Sequence, residues 1–343
     1  MRSAPPTPTM SSDTNLISDA PVEAVGATAD ARAPRVRIPR RPVHGVLMLD
    51  KPLGLSSNDA LQKVKRLFRA EKAGHTGTLD PLATGLLPIC FGAATKFSQV
   101  SLEADKGYRA TLQLGQTRVG GDREGEVIAE RPVVCDRAAV EAACARFTGL
   151  ISQLPPMQSA LKHNGKALYE YARAGVTVER QPRQVTIHRI DIIEWQAERP
   201  DLLVVDVLCT KGTYIRTLAE DIGEALGCGA HLAGLRRIVS GPVDLRASVT
   251  LAALEAMDEA ARDACLRPVD VLLADWPAVQ LGEADAARFL SGMRRRIVHA
   301  DAEHVRVYGP DGRSLLGGAH VKAGELIADR LLSPLEVRAL RRD

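Results

Sequence analysis

Twelve consecutive residues, Gly74-His75-Thr76-Gly77-Thr78-Leu79-Asp80-Pro81-Leu82-Ala83-Thr84-Gly85, hold the densest chemical signal in this sequence. Three glycines, a proline and three threonines in so short a span describe a constrained loop, not the interior of a helix or strand. No Gly-Lys-Ser/Thr closes it, so it is not a Walker phosphate cradle, and the glycine spacing is not that of a dinucleotide fingerprint. What remains is one carboxylate, Asp80, ahead of Pro81. Taken alone, an Asp-Pro pair more often starts a turn or caps a helix than does chemistry. Six cysteines at 90, 135, 144, 209, 228 and 265 form no C-x-x-C pair, and the eight histidines form no H-E-x-x-H. Neither a metal nor a dithiol centre is expected. Buried apolar packing is the plainer reading of such scattered thiols.

The elements that must hold this loop can be read on either side of it. Val43–Leu49 is a short apolar run broken at Asp50-Lys51-Pro52, which predicts a strand and a breaker. Ser57 or Asn58 then caps a helix with apolar positions Leu61, Val64, Leu67 and Phe68, its other face carrying Lys63, Lys65, Arg66 and Arg69. Tyr108, Ala110, Leu112 and Leu114 alternate with polar residues, so they share one face of a half-buried strand. Residues 137–147 read as helix, and Leu202–Cys209 as strand. The stretch 155–182, with Tyr169 and Tyr171, reads as an excursion from the core. Ile215, Leu218, Ala219, Ile222 and Leu226 recur at helical spacing.

A chain of 343 residues suits two folded units and a tail. With 45% hydrophobic and 25% charged residues it has the means for an ordinary globular core. Residues 1–40 lack any aromatic side chain and are rich in Ala, Pro, Ser, Thr and Arg, which predicts a disordered extension. They also lack a compact apolar stretch, so no secretory signal is expected, and no run approaches a membrane span. A cytoplasmic protein is expected. Strands and helices do not alternate regularly, and tight turns such as Gly309-Pro310-Asp311-Gly312 favour antiparallel pairing, so the class is α+β. A boundary is placed between Pro268 and Pro277, followed by a small β-rich module. Net charge is only +3, yet Arg32, Arg35, Arg37, Arg40 and Arg41 form one basic run. Lys63, Lys65, Arg66, Arg69 and Lys72 form a second, and Arg294-Arg295-Arg296 a third. Local basic runs in a near-neutral chain point to a polyanionic partner.

The segment from His44-Gly45-Val46 through Asp50-Lys51-Pro52-Leu53-Gly54-Leu55-Ser56-Ser57-Asn58, with Gly74–Gly85, resembles the signature of the bacterial TruB family of transfer-RNA pseudouridine-55 synthases. Further matches run in order: Lys106-Gly107-Tyr108-Arg109-Ala110, Leu114-Gly115, Pro155–Lys162, Gly212-Thr213-Tyr214-Ile215-Arg216-Thr217-Leu218 and Gly229-Ala230-His231-Leu232 to Leu235-Arg236-Arg237. Together they cover roughly residues 43–340. The resemblance implies a pseudouridine-synthase fold with a mainly antiparallel mixed sheet, spanning 41–270. It also implies a PUA-like RNA-binding module over 276–340.

It implies, too, that Asp80 is the catalytic carboxylate, either attacking the target nucleotide or abstracting a sugar proton, in a largely dry pocket. Burial alone would raise its pKa, so a cation must accompany it, and Arg216 is the implied partner. Tyr108 is implied to stack on the base and to assist proton removal. Tyr214 and the backbone of Leu235 are implied to line the uridine site, and His75 to enter the space the uridine vacates. Lys72, Lys162, Arg236 and Arg237 would hold phosphates. No cofactor is needed, because every atom stays on the nucleotide. The expected partner is transfer RNA, gripped by T-arm and acceptor stem, with no membrane, no obligate protein partner and a monomeric enzyme.

One departure stands out: the family commonly has a run containing threonine and aspartate where this chain reads Arg118-Val119-Gly120-Gly121-Asp122. Rival readings are an RNA-binding or RNA-folding helper, a same-family synthase acting on another RNA, and a nucleotide hydrolase. The missing phosphate-binding loop counts against the last. The joint presence of Asp80, Tyr108, Tyr214 and Arg216 counts against the first. If phosphate contacts dominate, transfer-RNA affinity should fall steeply as salt rises from low to physiological strength. A filter-binding titration showing a flat response would contradict an extended phosphate-contacting surface.

Overall fold

A computed structural model describes residues 39–341. The extension expected over 1–40, with Arg32, Arg35 and Arg37 of the first basic run, lies outside the described residues apart from Pro39 and Arg40. Arg41 is tied down, its guanidinium bonding Asp263 from both terminal nitrogens.

Among the described residues ten strands form the large sheet. Its main path runs Val249–Thr250, Gly45–Lys51, Ala83–Phe91, Ala230–Ser240, Lys106–Leu114, Arg199–Cys209, Arg183–Gln196, Gly149–Gln153. Pairing is antiparallel except where Leu235–Arg237 runs parallel to Ala83–Gly85 and where Leu49–Asp50 runs parallel to Val249–Thr250. The sheet is therefore mixed and mainly antiparallel, as the turn chemistry predicted. Its long-range feature is the Ala230–Ser240 strand, wedged between the strand that follows the Asp80 loop and the strand that carries Tyr108. That insertion brings the two backbones close at Gly85. A Cβ there would stand 2.3 Å from the Arg237 carbonyl oxygen, and its φ is +96°. Only glycine fits.

Alternation on the Lys106–Leu114 strand falls where it was predicted, with Ala110, Leu112 and Leu114 buried in one cluster beneath the Ile215–Ala225 helix. The Ser57–Leu67 helix buries Ala60, Leu61 and Val64 against the other end of the sheet. Its cap is Ser56, one residue before the predicted position, in a reciprocal capping box with Asp59. Ser57 is released from capping and turned inward, where its Oγ accepts from the Leu79 N–H at 2.7 Å.

A second, five-stranded sheet runs in the order Ala278–Gln280, Ala302–Tyr308, Leu315–Lys322, Glu325–Leu331, Arg295–Arg296. The two sheets share a buried apolar cluster. The Val269–Leu273 turn of 3-10 helix buries Val269, Leu272 and Leu273 in a cluster that also contains Val46, Met48, Leu86 and Cys90 of the large sheet. Phe289, Val305, Val307, Ala319 and Leu326 complete that cluster from the other side. Tyr308 donates to Asp270 at 2.7 Å, and Lys96 donates to Glu336 at 2.6 Å. Among the described residues no helix is long and apolar enough to cross a membrane.

A shared core predicts shared unfolding. Phe289→Ala, which empties a fully buried site, should cost about 3–5 kcal/mol. It should lower the denaturation midpoint of the whole chain in one transition, followed by circular dichroism and by Trp276 and Trp195 fluorescence. An early, separate transition of the C-terminal sheet would contradict the common core.

Candidate active site

The Asp80 loop is staked at both sides of its carboxylate. Leu79 and Leu82 are buried in different core clusters. Ser57 holds the Leu79 backbone, the Gly54 N–H donates to the Pro81 carbonyl at 2.8 Å, and the Ala83 N–H closes onto the Asp80 carbonyl at 3.0 Å. The loop backbone is thus fixed while the side chain between the two leucines faces outward.

Facing it is the first turn of the Ile215–Ala225 helix. Tyr214 occupies the cap position and offers no capping oxygen of its own. Buried Gln153 instead fixes the backbone of Tyr214 itself: its Oε1 accepts from the Tyr214 N–H at 3.0 Å, and its Nε2 donates to the Tyr214 carbonyl at 3.2 Å. Arg216 follows, its side chain only 7% exposed. One terminal nitrogen stands 3.1 Å from the Asp80 carboxylate and donates to the Gln158 carbonyl at 2.7 Å. The other stands 3.5 Å from Asp122 and 3.4 Å from the Gly120 carbonyl. A guanidinium is always charged and presents a planar fork, so it serves two carboxylates and two carbonyls at once.

The Asp80–Arg216 pair exists, but not in the dry setting expected for it. The Asp80 side chain is 45% exposed, and the buried member is the arginine. The cause is the staking described above, which aims the carboxylate at a cavity of about 300 Å³ lined by Gly77, Lys106, Tyr108, Ser159, Tyr214 and Leu235, among others. That volume lies at the small end of ligand sites.

Tyr108 and Tyr214 both line this cavity, and burial pushes both phenols up. Ser159 near Tyr214 and the Arg237 guanidinium near Tyr108 oppose that rise. Leu235 lines the cavity as well, and its carbonyl accepts a long bond from the Thr84 hydroxyl at 3.4 Å.

Other predicted residues fall elsewhere. His75 is not on a free loop. It ends a short strand paired to Ile89, is half-buried with its Nδ1 unpartnered, and does not line the cavity. Burial, helped by Arg237, holds its imidazole below the ordinary pKa. Lys72 and Lys162 are exposed. Arg236 is committed to Asp50 through two bonds of 3.0 and 2.6 Å and borders a different cavity.

Arg237 overturns its expectation as a surface phosphate ligand, since it is 1% exposed and donates to the Leu86 carbonyl at 2.7 Å. Neighbouring residues on one strand point to opposite faces, so Arg236 and Arg237 cannot both meet a phosphate surface.

Several residues at the site were not assigned from the sequence. Asp122 lies in the very run that departs from the family pattern, and a bridge from it to Leu232 draws it under Arg216. Lys51 and Lys106 sat in quoted motifs with no role attached, and both are buried. Glu220, one helical turn after Arg216, packs its carboxyl against Gly121. Burial and then Asp221 push it up to about 7. Nothing in composition marks these residues, because what singles them out is what surrounds them.

Comparison with known proteins adds a lineage to this geometry. Residues 65–215 match the model described as TruB family pseudouridylate synthase (N terminal domain), and residues 216–274 that of the tRNA pseudouridylate synthase B C-terminal domain. The chain is 57% identical over 312 residues to tRNA pseudouridine synthase B of Cupriavidus pinatubonensis, covering 89% of this chain and 98% of that protein. It is 59% identical to the protein of the same name from Burkholderia lata, covering 88% and 94%. Among solved structures, a chain of a Cbf5–Nop10–Gar1 complex superposes with a TM-score of 0.63 at 25% identity, covering 88% of this chain and 82% of its own. The fold is that of the pseudouridine synthases, with a PUA-like C-terminal sheet.

Glu220 generates a test of the surroundings of Arg216. Its folded pKa lies above the unfolded one, so the neutral form favours the folded state. Stability should therefore decline as pH rises from about 4.5 to about 7 and then level off. Glu220→Gln should flatten that decline in thermal melts between pH 5 and 8. An unchanged pH dependence would show that the carboxyl is ionised throughout.

Proposed function

The chain belongs to the TruB family of pseudouridine synthases, isomerases that act on uridine in transfer RNA, and on that premise we propose that it isomerises uridine 55 of the T-loop with Asp80 as the catalytic carboxylate. The observation that carries this reading is the placement of one carboxylate, paired to a buried arginine, at a cavity flanked by two tyrosines.

The reaction asks for little else. A uridine must leave its stack, at a cost of a few kcal/mol. Stacking on Tyr108 would return about 1–3 kcal/mol. Once seated, the base would cover the exposed carboxylate, so that Asp80 loses water only when the sugar is beside it. Arg216 then holds the carboxylate in a fixed direction, with Asp122 sharing the guanidinium from behind. Asp80 either adds to C1′ or removes the C2′ proton. In both cases the base detaches from C1′ through N1, turns within the cavity and rejoins through C5.

Exposed Lys72 and Lys162 would meet phosphates of the T-arm. Residues 276–340 would serve as an RNA-binding module toward the acceptor stem, behind a catalytic domain over 41–270. We take the enzyme to be a cytoplasmic monomer that needs no obligate protein partner and no cofactor.

Purified protein incubated with an unmodified transfer-RNA transcript, without additives, should place pseudouridine at position 55 alone when the product is mapped by mass spectrometry. Asp80→Asn should abolish turnover while leaving affinity within about tenfold, because phosphate contacts dominate binding. Turnover by that variant would refute the role of Asp80. Modification at another position would refute the T-loop assignment.

A further inference from the structure

Two buried cations, Lys106 and Arg237, line the cavity, a third, Lys51, borders a different one, and none of the three makes an ion pair among the described residues. Lys51 is 0% exposed, and its Nζ donates only to the carbonyls of Pro52 and Leu55. Lys106 is 6% exposed, and its Nζ donates to the carbonyls of Ser101 and Ala104. Arg237 is 1% exposed and bonds the Leu86 and Gly77 carbonyls, with the Tyr108 phenol beside it. Lys106 and Arg237 meet beneath Gly77, where an added Cβ would stand 3.9 Å from Lys106 Cε and 3.2 Å from an Arg237 terminal nitrogen. Both line the cavity together with Lys211 and Arg216, and Asp80 is the one acid in that lining among the described residues.

Burying like charges side by side without carboxylates is costly in a folded protein. The arrangement makes sense where an anion is formed beside it, since preorganised cations act most strongly on charge that develops in a water-poor site. Either route open to Asp80 produces such an anion. When the C1′–N1 bond breaks, its electron pair stays with the base, and the uracil departs as an anion. If Asp80 attacks, its oxygen takes the vacated position on C1′. If Asp80 acts as a base, it holds the C2′ proton while the C2′–H pair closes a C1′–C2′ double bond. On rejoining, C5 supplies the pair for the new bond to C1′. Asp80 is then expelled or returns its proton, and the C5 proton passes to N1. No oxidant or second reactant is involved.

We propose that Lys106 and Arg237 form an anion-stabilising floor for the detached uracil, acting on the leaving base while Arg216 acts on Asp80. This assignment rests on the pseudouridine-synthase reading and extends it to residues on the opposite side of the cavity. Register dictates part of it: Arg237 and Tyr108 are cross-strand partners, so their side chains share one face at the pocket. Lys106 stands two residues before Tyr108, on that same face.

The floor should reveal itself in the pH dependence of the single-turnover rate. Burial first, then Arg237, lowers the Lys106 ammonium to about 8, opposed by the Cys209 thiol and by Asp105. Lys51 is also lowered to about 8 by burial, with Asp80 opposing and Arg237 assisting. With saturating transfer RNA, the wild-type rate should fall about tenfold between pH 7 and 9, the loss expected as a group of that pKa gives up its proton. Lys106→Arg, charged throughout this range, should lose less than threefold. Lys106→Met should lower the rate about 10²-fold at pH 7, with transfer-RNA affinity within threefold and a folded circular-dichroism spectrum.

A flat wild-type profile would overturn the proposal without any variant. So would an undiminished alkaline fall in Lys106→Arg, or a folded Lys106→Met with near wild-type rate. If the wild-type protein forms no pseudouridine at all, the underlying reading fails first and this one falls with it. A wild type that turns over but shows none of these effects sinks the floor alone.

Discussion

A half-exposed carboxylate held by a buried guanidinium is the constraint around which this molecule is arranged. Arg216 reaches Asp80 with one terminal nitrogen and Asp122 with the other, so three distant parts of the chain converge on one planar group. Removing a guanidinium from water is expensive, and the expense is offset only when several acceptors surround it in good geometry. The carbonyls of Gln158 and Gly120 complete that surrounding. The helix that carries Arg216 begins on a tyrosine with no capping side chain, and a buried glutamine holds that tyrosine's backbone in place. Local helix preference gave way here to the placement of a side chain.

Strand order does the remaining positioning. The Ala230–Ser240 strand enters late in sequence yet lies in the middle of the sheet, pairing parallel with the strand after Asp80 and antiparallel with the strand of Tyr108. It therefore delivers Leu235 and Arg237 between the carboxylate loop and the aromatic ring. A one-residue slip would turn Arg237 outward and Arg236 in. Gly85 and the ladder on both sides hold that register, so the same sheet that forms the core also decides which arginine faces the cavity. The C-terminal sheet shares the core behind this arrangement, and it braces the strands on which the site is mounted.

Much of this was legible in the sequence because it depends on near neighbours. Alternation placed Tyr108 on a half-buried strand, 3.6-residue spacing placed Arg216 at the start of a helix, and a cluster of Gly, Pro and Thr marked the Asp80 loop. Each of these signals is a property of a few contiguous residues, and steric rules act at that range. The family resemblance carried the pairing of Asp80 with Arg216, which no local rule contains.

What only the tertiary structure decided is the electrostatic environment. Arg236 and Arg237 are adjacent and chemically identical, yet one is spent on Asp50 at the surface and the other is buried beside Tyr108. Asp122 looked like a departure in a loop and turned out to reach Arg216. His75 was expected on a loop and lies on a strand. Lys51 and Lys106 carried no signal beyond their charge. Charge is written in the sequence, but the cost of burying it and the partners that offset that cost are set by residues up to some two hundred positions away, which meet only when the chain is folded.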